Sequence, residues 1–111
     1  MKVCITAKGP EPTSPAEERF GRAPYFMVFD QETGTWKNIK NPHADAAGGV
    51  GPRAAQILVE EGASALITGN VGGNALNALK AAKIAIYLFK GQMTVQEAYG
   101  AFQDGSLIQL A

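Results

Sequence analysis

The sequence predicts an α/β domain: a mixed, five-stranded sheet with helices on its faces. Three observations carry that expectation. Apolar runs of strand length recur along the chain, at Lys2 to Ala7, Tyr25 to Asp30, Ala63 to Thr68 and Ile84 to Phe89. Stretches of helical period separate the later runs, which is the pattern of strands paired in parallel through crossovers. Only the short segment QETGT parts Tyr25 to Asp30 from Thr35 to Lys40, so those two runs can pair antiparallel as a hairpin.

In chain order, KVCITA is rich in β-formers and apolar on both faces, which suits a central strand, and it ends at Gly9-Pro10. The stretch GPEPTSPAEERFGRAP that follows holds four of the six prolines and reads as a long irregular connection, the best candidate for a mobile segment. YFMVFD and TWKNIK form the hairpin, turning at Gly34, with the Lys37 and Lys40 arm at the sheet edge. A second loop, NPHADAAGGVG, leads to Pro52, which can be the first helical residue. Ala54, Ala55, Ile57, Leu58 and Val59 give that helix a broad apolar face, and Gly62 closes it. ASALIT is a strand; a helix from Gly73 to Lys83 buries Leu76, Leu79 and alanines. IAIYLF, apolar throughout, is a strand covered on both faces. Thr94 and Glu97 make a capping box that starts the last helix, which stops near Gly105, leaving Ser106 to Ala111 as a short extended tail.

Composition limits the function classes. A chain of 111 residues fits a single domain over 1–111. Ten basic and ten acidic residues cancel, so no global field argues for a nucleic-acid or membrane partner. The single cysteine, Cys4, excludes an internal disulfide and any four-cysteine metal site. No apolar stretch reaches spanning length and MKVCITAKG is no signal peptide, so a cytoplasmic location is the expectation.

The stretch most able to carry chemistry is ALITGNVGGNALNAL, where a strand turns through glycines into a helix. Helix starts leave N–H groups without intrahelical partners and carry partial positive charge, so Gly72, Gly73 and Asn74 can seat an anion. The glycines are read as supplying positive φ and close backbone approach. A plain tight connection between sheet and helix remains the other reading. Gly49 and Gly51 lead a second helix start of the same kind. GVGPRA has the G-x-G-x-x-A spacing of a dinucleotide fingerprint, yet it follows a loop rather than a strand and lacks an acidic ribose partner. Neither glycine corner ends in G-K-[ST], so neither is a P-loop.

Arg19 and Arg22 flank Phe20-Gly21 and could clamp an anion through paired hydrogen bonds, or simply solvate their loop. His43, the sole histidine, and Cys4 are weak candidates for metal ligands: together they are too few to enclose an ion, though they could take open positions on a preassembled cluster. Cys4 on a central strand also reads as a small buried hydrophobe. Ser14, Ser64 and Ser106 lie in no nucleophile context, and Glu17-Glu18 and Glu60-Glu61 read as solvated neighbours, so no catalytic cast is visible and an enzyme is not expected.

RFGRAPYF at Arg19 to Phe26, the GGVG loop, TGNVGGNA, the IAIY strand and the TVQEA helix, taken together, resemble the dinitrogenase iron-molybdenum cofactor biosynthesis family over nearly the whole chain. The resemblance implies a ribonuclease H-like three-layer fold without that enzyme's acidic metal site. It also implies binding or carriage of an iron–sulfur or iron–molybdenum cluster, in the manner of nitrogenase accessory factors, with a protein partner in cluster assembly. Many cofactor-handling members resemble an H-F-G-R form of the loop; here its first position is Arg19, and His43 is the imidazole available nearby. The expected site is therefore Arg19, Arg22, His43, Gly49, Gly51, Gly72, Gly73 and Asn74 around a cluster or small anion. The alternative is a cofactor-free interaction or regulatory module, working through the Pro-rich loop and the hairpin edge near Trp36.

Overall fold

The computed structural model describes all residues, Met1–Ala111. Its elements run β1 (Lys2–Ala7), β2 (Tyr25–Asp30), β3 (Thr35–Lys40), α1 (Val50–Glu61), β4 (Ala65–Thr68), α2 (Gly73–Ala81), β5 (Ala85–Leu88), α3 (Val95–Gln103) and β6 (Ile108–Gln109). The strands form one mixed sheet in the order β3-β2-β1-β4-β5-β6. β1, β4 and β5 are parallel neighbours, and the β2–β3 hairpin adds antiparallel to β1. No helix is long and apolar enough to cross a membrane.

The sheet has six strands rather than the expected five. The tail after α3 is extended, as its sequence suggests, but it also pairs: Leu88 stands opposite Ile108 and Tyr87 opposite Gln109. A two-residue strand carries no alternation to read, and its partner edge is set only by the fold.

Alternation along the central strands separates two cores. Cys4, Leu66 and Ile86 face one side with Phe26 and Val28, under Ala54, Ala55 and Leu58 of α1 and Ala75 and Leu79 of α2. Val3, Ile5, Ala65 and Ile67 face the other, against Val95, Ala98 and Tyr99 of α3. Helices thus cover both faces, and fully apolar strands follow from that. Val59, expected on the buried face of α1, is instead 46% exposed; Ala54, Ala55 and Leu58 are the buried residues of that helix, with Ile57 packed at their margin. α1 starts two residues before Pro52; the missing N–H of Pro52 costs nothing there, since the first N–H groups of a helix have no partner within it.

The long Pro-rich connection is tied down along its length, contrary to the expected mobility. Lys8 N–H donates to Pro15 C=O, Ala16 N–H to Met93, Glu17 N–H to Thr6, and Val95 and Gln96 N–H to Ser14 and Pro12. Buried Thr6 and Thr68 finish the anchoring: the Thr6 hydroxyl donates to Glu17 C=O and meets the Thr68 hydroxyl at 2.9 Å. Proline removes a donor, but it leaves its carbonyl free to accept, and Pro12 and Pro15 both use theirs.

Candidate functional site

At the carboxyl ends of β1 and β4, three loops meet. The segment after β1 lies along the corner after β4: Gly69 and Asn70 N–H both donate to Glu18 C=O, at 3.0 and 2.7 Å, and Phe20 N–H returns to Asn70 C=O at 3.3 Å. The third loop follows β3, whose Lys40 is paired with Tyr25 at the start of β2. Its Asn41 is buried, and the Asn41 amide donates to Gly21 C=O at 3.2 Å and to Ala23 C=O at 2.9 Å.

Two glycines let the loops approach closely. A Cβ on Gly69 would lie 2.5 Å from the Glu18 Cβ, and one on Gly21 would lie 2.8 Å from Val50 Cγ2. Gly72 and Gly73 differ, since a Cβ on either meets no atom within 4 Å. Gly72 has φ −70° and ψ 162°, and neither residue has positive φ, contrary to the backbone role expected of them. Gly49, at φ 69°, is the one cleft glycine that needs the left-handed region.

The result is a cleft of about 410 Å³ lined by Arg19, Arg22, Gly49, Gly51, Gly72, Gly73 and Asn74, together with Phe20, Gly21, Val50, Pro52, Asn70 and Ala75. Seven of the eight expected residues therefore share one wall system. His43 does not line it; its ring Nδ1 lies 3.5 Å from Arg53 Nη1, and its backbone N–H donates to the Asn41 side chain at 3.0 Å. Cys4 lies under the helices, fully buried, and burial pushes its thiol far above the ordinary value. It is a core side chain with no path to the cleft. Of the lining residues that sequence reasoning left out of the site, Asn70 carried a signal, standing in the same TGNVGGN corner. Phe20 and Ala75 are apolar and carry no such signal.

The electrostatics of the cleft are one-sided. α1 and α2 are capped by Gly49 and Gly72, with no side-chain bond at either cap. α3, whose start is elsewhere, has a full capping box, with Glu97 N–H donating to Thr94 Oγ1 and Thr94 N–H to the Glu97 carboxylate. Arg22 donates from Nη1 to Ala44 C=O at 3.0 Å and to Ala46 C=O at 2.6 Å. Arg19 Nε lies 3.4 Å from the Glu17 carboxylate. Glu17 was expected to be solvated; it is 5% exposed, because Thr6 draws its backbone against β1. Burial pushes the Glu17 carboxyl up, but hydrogen bonds from the Arg19 backbone and guanidinium, with the charges of Arg19 and Lys8, outweigh it and hold the group below its ordinary value. No carboxylate, histidine, cysteine or hydroxyl side chain lines the cleft itself.

The sequence profile of the family described as "Dinitrogenase iron-molybdenum cofactor" matches residues 1–105. The chain belongs to that family. Among relatives, an uncharacterized protein of Methanocaldococcus jannaschii is 33% identical over 92 residues, covering 79% of this chain and 76% of its own. The apo form of the orange protein from Desulfovibrio gigas superposes with a TM-score of 0.93 at 36% identity, over 99% of this chain and 92% of that one. A putative NifB protein from Thermotoga, assigned to the DUF35 family, gives a TM-score of 0.88 at 43% identity, over 98% and 92%. Family membership supports a role related to cofactor handling, and the mixed α/β architecture is common to these structures.

Proposed function

We propose that this protein binds and carries an anionic iron–sulfur or iron–molybdenum cluster in the cleft between the starts of α1 and α2, and performs no catalysis of its own. One observation carries the reading. The two helix starts that line the cleft have no side-chain caps, and Gly72 and Gly73 leave space that no protein atom fills, whereas the remote α3 is fully capped. Free N–H groups, helix dipoles and guanidinium groups form a donor set for a multiply charged anion.

The donor set also fixes the manner of holding. With no thiolate, imidazole or carboxylate on its walls, the cleft fits a preassembled anionic cluster gripped by hydrogen bonds and charge, and it does not fit metal ions ligated one by one. Arg19, Arg22, Gly49, Gly51, Gly72, Gly73 and Asn74 are the contacting residues, and His43 would reach the cargo only by leaving Arg53. A general base is missing from the same walls, which is why binding rather than turnover is proposed. Cluster delivery implies a protein partner in assembly. We assign the layers to the ribonuclease H-like class, supported by a sheet with parallel strands at its centre, an antiparallel hairpin at one edge and helices on both faces.

Anaerobic reconstitution with ferrous iron, sulfide and molybdate, followed by desalting, visible absorption and metal analysis, tests the proposal. Wild-type protein retains colour and metal, and Arg22→Ala loses most of both. A colourless wild type without retained iron or molybdenum sinks it.

A further inference from the structure

Resting on the anion-binding reading of the cleft, we propose that Arg22 is a bridge between the cargo and the loop Pro42–Gly48, so that binding an anion orders that loop as a lid. The loop has little else to hold it. None of its residues is buried, although Asn41 at its root is. His43 N–H bonds to that Asn41 side chain, Ala46 N–H folds back on His43 C=O, and the His43 ring has only the 3.5 Å approach of Arg53. At the far end Gly49 takes φ 69° as the cap of α1, a conformation that a glycine leaves and re-enters at little cost. Between these ends, the bonds that tie the loop to the body of the protein come from one atom, Arg22 Nη1, donating to Ala44 C=O and Ala46 C=O.

Arg22 also lines the cleft. A guanidinium is planar and carries five N–H donors in a fixed fork. With both Nη1 protons on the loop carbonyls, the opposite edge, Nε–H and one Nη2–H, remains as a parallel pair suited to two oxygens or sulfurs of an anion. One side chain can therefore hold loop and cargo at once, and an anion that fixes the guanidinium plane also fixes the donor that the loop depends on. A lysine keeps the charge but not the fork, since its ammonium is a point donor on a flexible stem.

Amide hydrogen exchange, read by NMR with and without saturating molybdate, tests the coupling, with molybdate affinity measured separately by calorimetry. In wild type, exchange of the Ala46 amide, which bonds to His43 C=O, slows about tenfold on molybdate binding, the worth of one charge-assisted bond. In Arg22→Lys, that amide exchanges faster in the free protein, molybdate still binds but more weakly, and it no longer slows the exchange. Molybdate bound tightly by wild type with unchanged exchange at Ala46 overturns the bridge and leaves the cleft reading standing; slowing that persists in Arg22→Lys does the same. Failure of wild type to bind molybdate at all overturns both.

Discussion

Gly51 and Ala75 are the point where the two cleft helices touch. A Cβ on Gly51 would lie 2.7 Å from the Ala75 Cβ, closer than side chains approach. The absent side chain therefore sets the distance between the starts of α1 and α2, and with it the spacing of their free N–H groups.

Gly51→Ala forces that contact apart. Helix propensity favours alanine, by at most about 1 kcal/mol, but overpacking against the Ala75 methyl costs about 1–3 kcal/mol. A net loss of roughly 1–2 kcal/mol in urea denaturation is expected. Unchanged or increased stability would mean that the helices can separate freely, and that the cleft width is not set here.

Gly72→Val and Gly73→Ala test the opposite case. A Cβ at either position meets no protein atom and neither has positive φ, so Gly73→Ala should stay within about 0.5 kcal/mol of wild type, and Gly72→Val, which replaces a glycine cap by valine, should cost no more than about 1 kcal/mol. Retention of iron and molybdenum after anaerobic reconstitution should nonetheless fall sharply, since both residues line the cleft. Full metal retention in both variants would locate the cargo elsewhere.

The Glu17–Arg19 pair makes a pH prediction. The folded-state Glu17 carboxyl lies below its ordinary value of 4.5, so its contribution to stability is fully present above about that pH and is lost as the pH falls through the lower folded value. Glu17→Gln should cost about 1–2 kcal/mol near neutral pH, the worth of hydrogen bonds to a charged group. The gap between the two proteins should close as the pH falls below 4.5 and the carboxyl takes up its proton. Denaturation series across that range decide it; a gap that is constant with pH would show that the lost charge is not the cause.

How much of this was legible beforehand depends on how local the signal is. Thr94 and Glu97 announce α3 because both partners of the cap lie within four residues, and the alternation of Val3, Cys4 and Ile5 places β1 at the centre because each face is read from side chains on the strand itself. The gathering of the two glycine corners with Arg19 and Arg22 followed from topology, since loops after adjacent parallel strands share an edge. What escaped were relations of long sequence separation. Thr6 meets Thr68 across 62 positions, and the Thr6 hydroxyl, donating to Glu17 C=O, anchors one end of the Pro-rich loop where Glu17 is buried. His43 was legible as polar and nearby, but its partner, Arg53, is chosen by the start of α1. Trp36, read as part of an interaction edge, packs 4.9 Å from Phe29 and 5.9 Å from Tyr99 between ring centres.

The sixth strand makes the last prediction. Leu110 N–H donates to Ile86 C=O at 2.8 Å and Ile86 N–H to Ala111 C=O at 2.9 Å, so the tail covers the outer edge of the apolar strand β5. Removing Leu107–Ala111 bares that edge, which then offers unpaired backbone groups flanked by Ile86 and Leu88 to any other strand. Ile108 and Leu110 of the tail are 54% and 45% exposed, while Leu107 and Ala111 pack against the two cores, so the tail contributes both pairing and some burial. The truncated chain should remain folded by circular dichroism, melt at a lower temperature, and sediment as larger species with rising concentration. A shortened chain that melts lower yet stays monomeric at high concentration would show that β6 stabilises the sheet without guarding it.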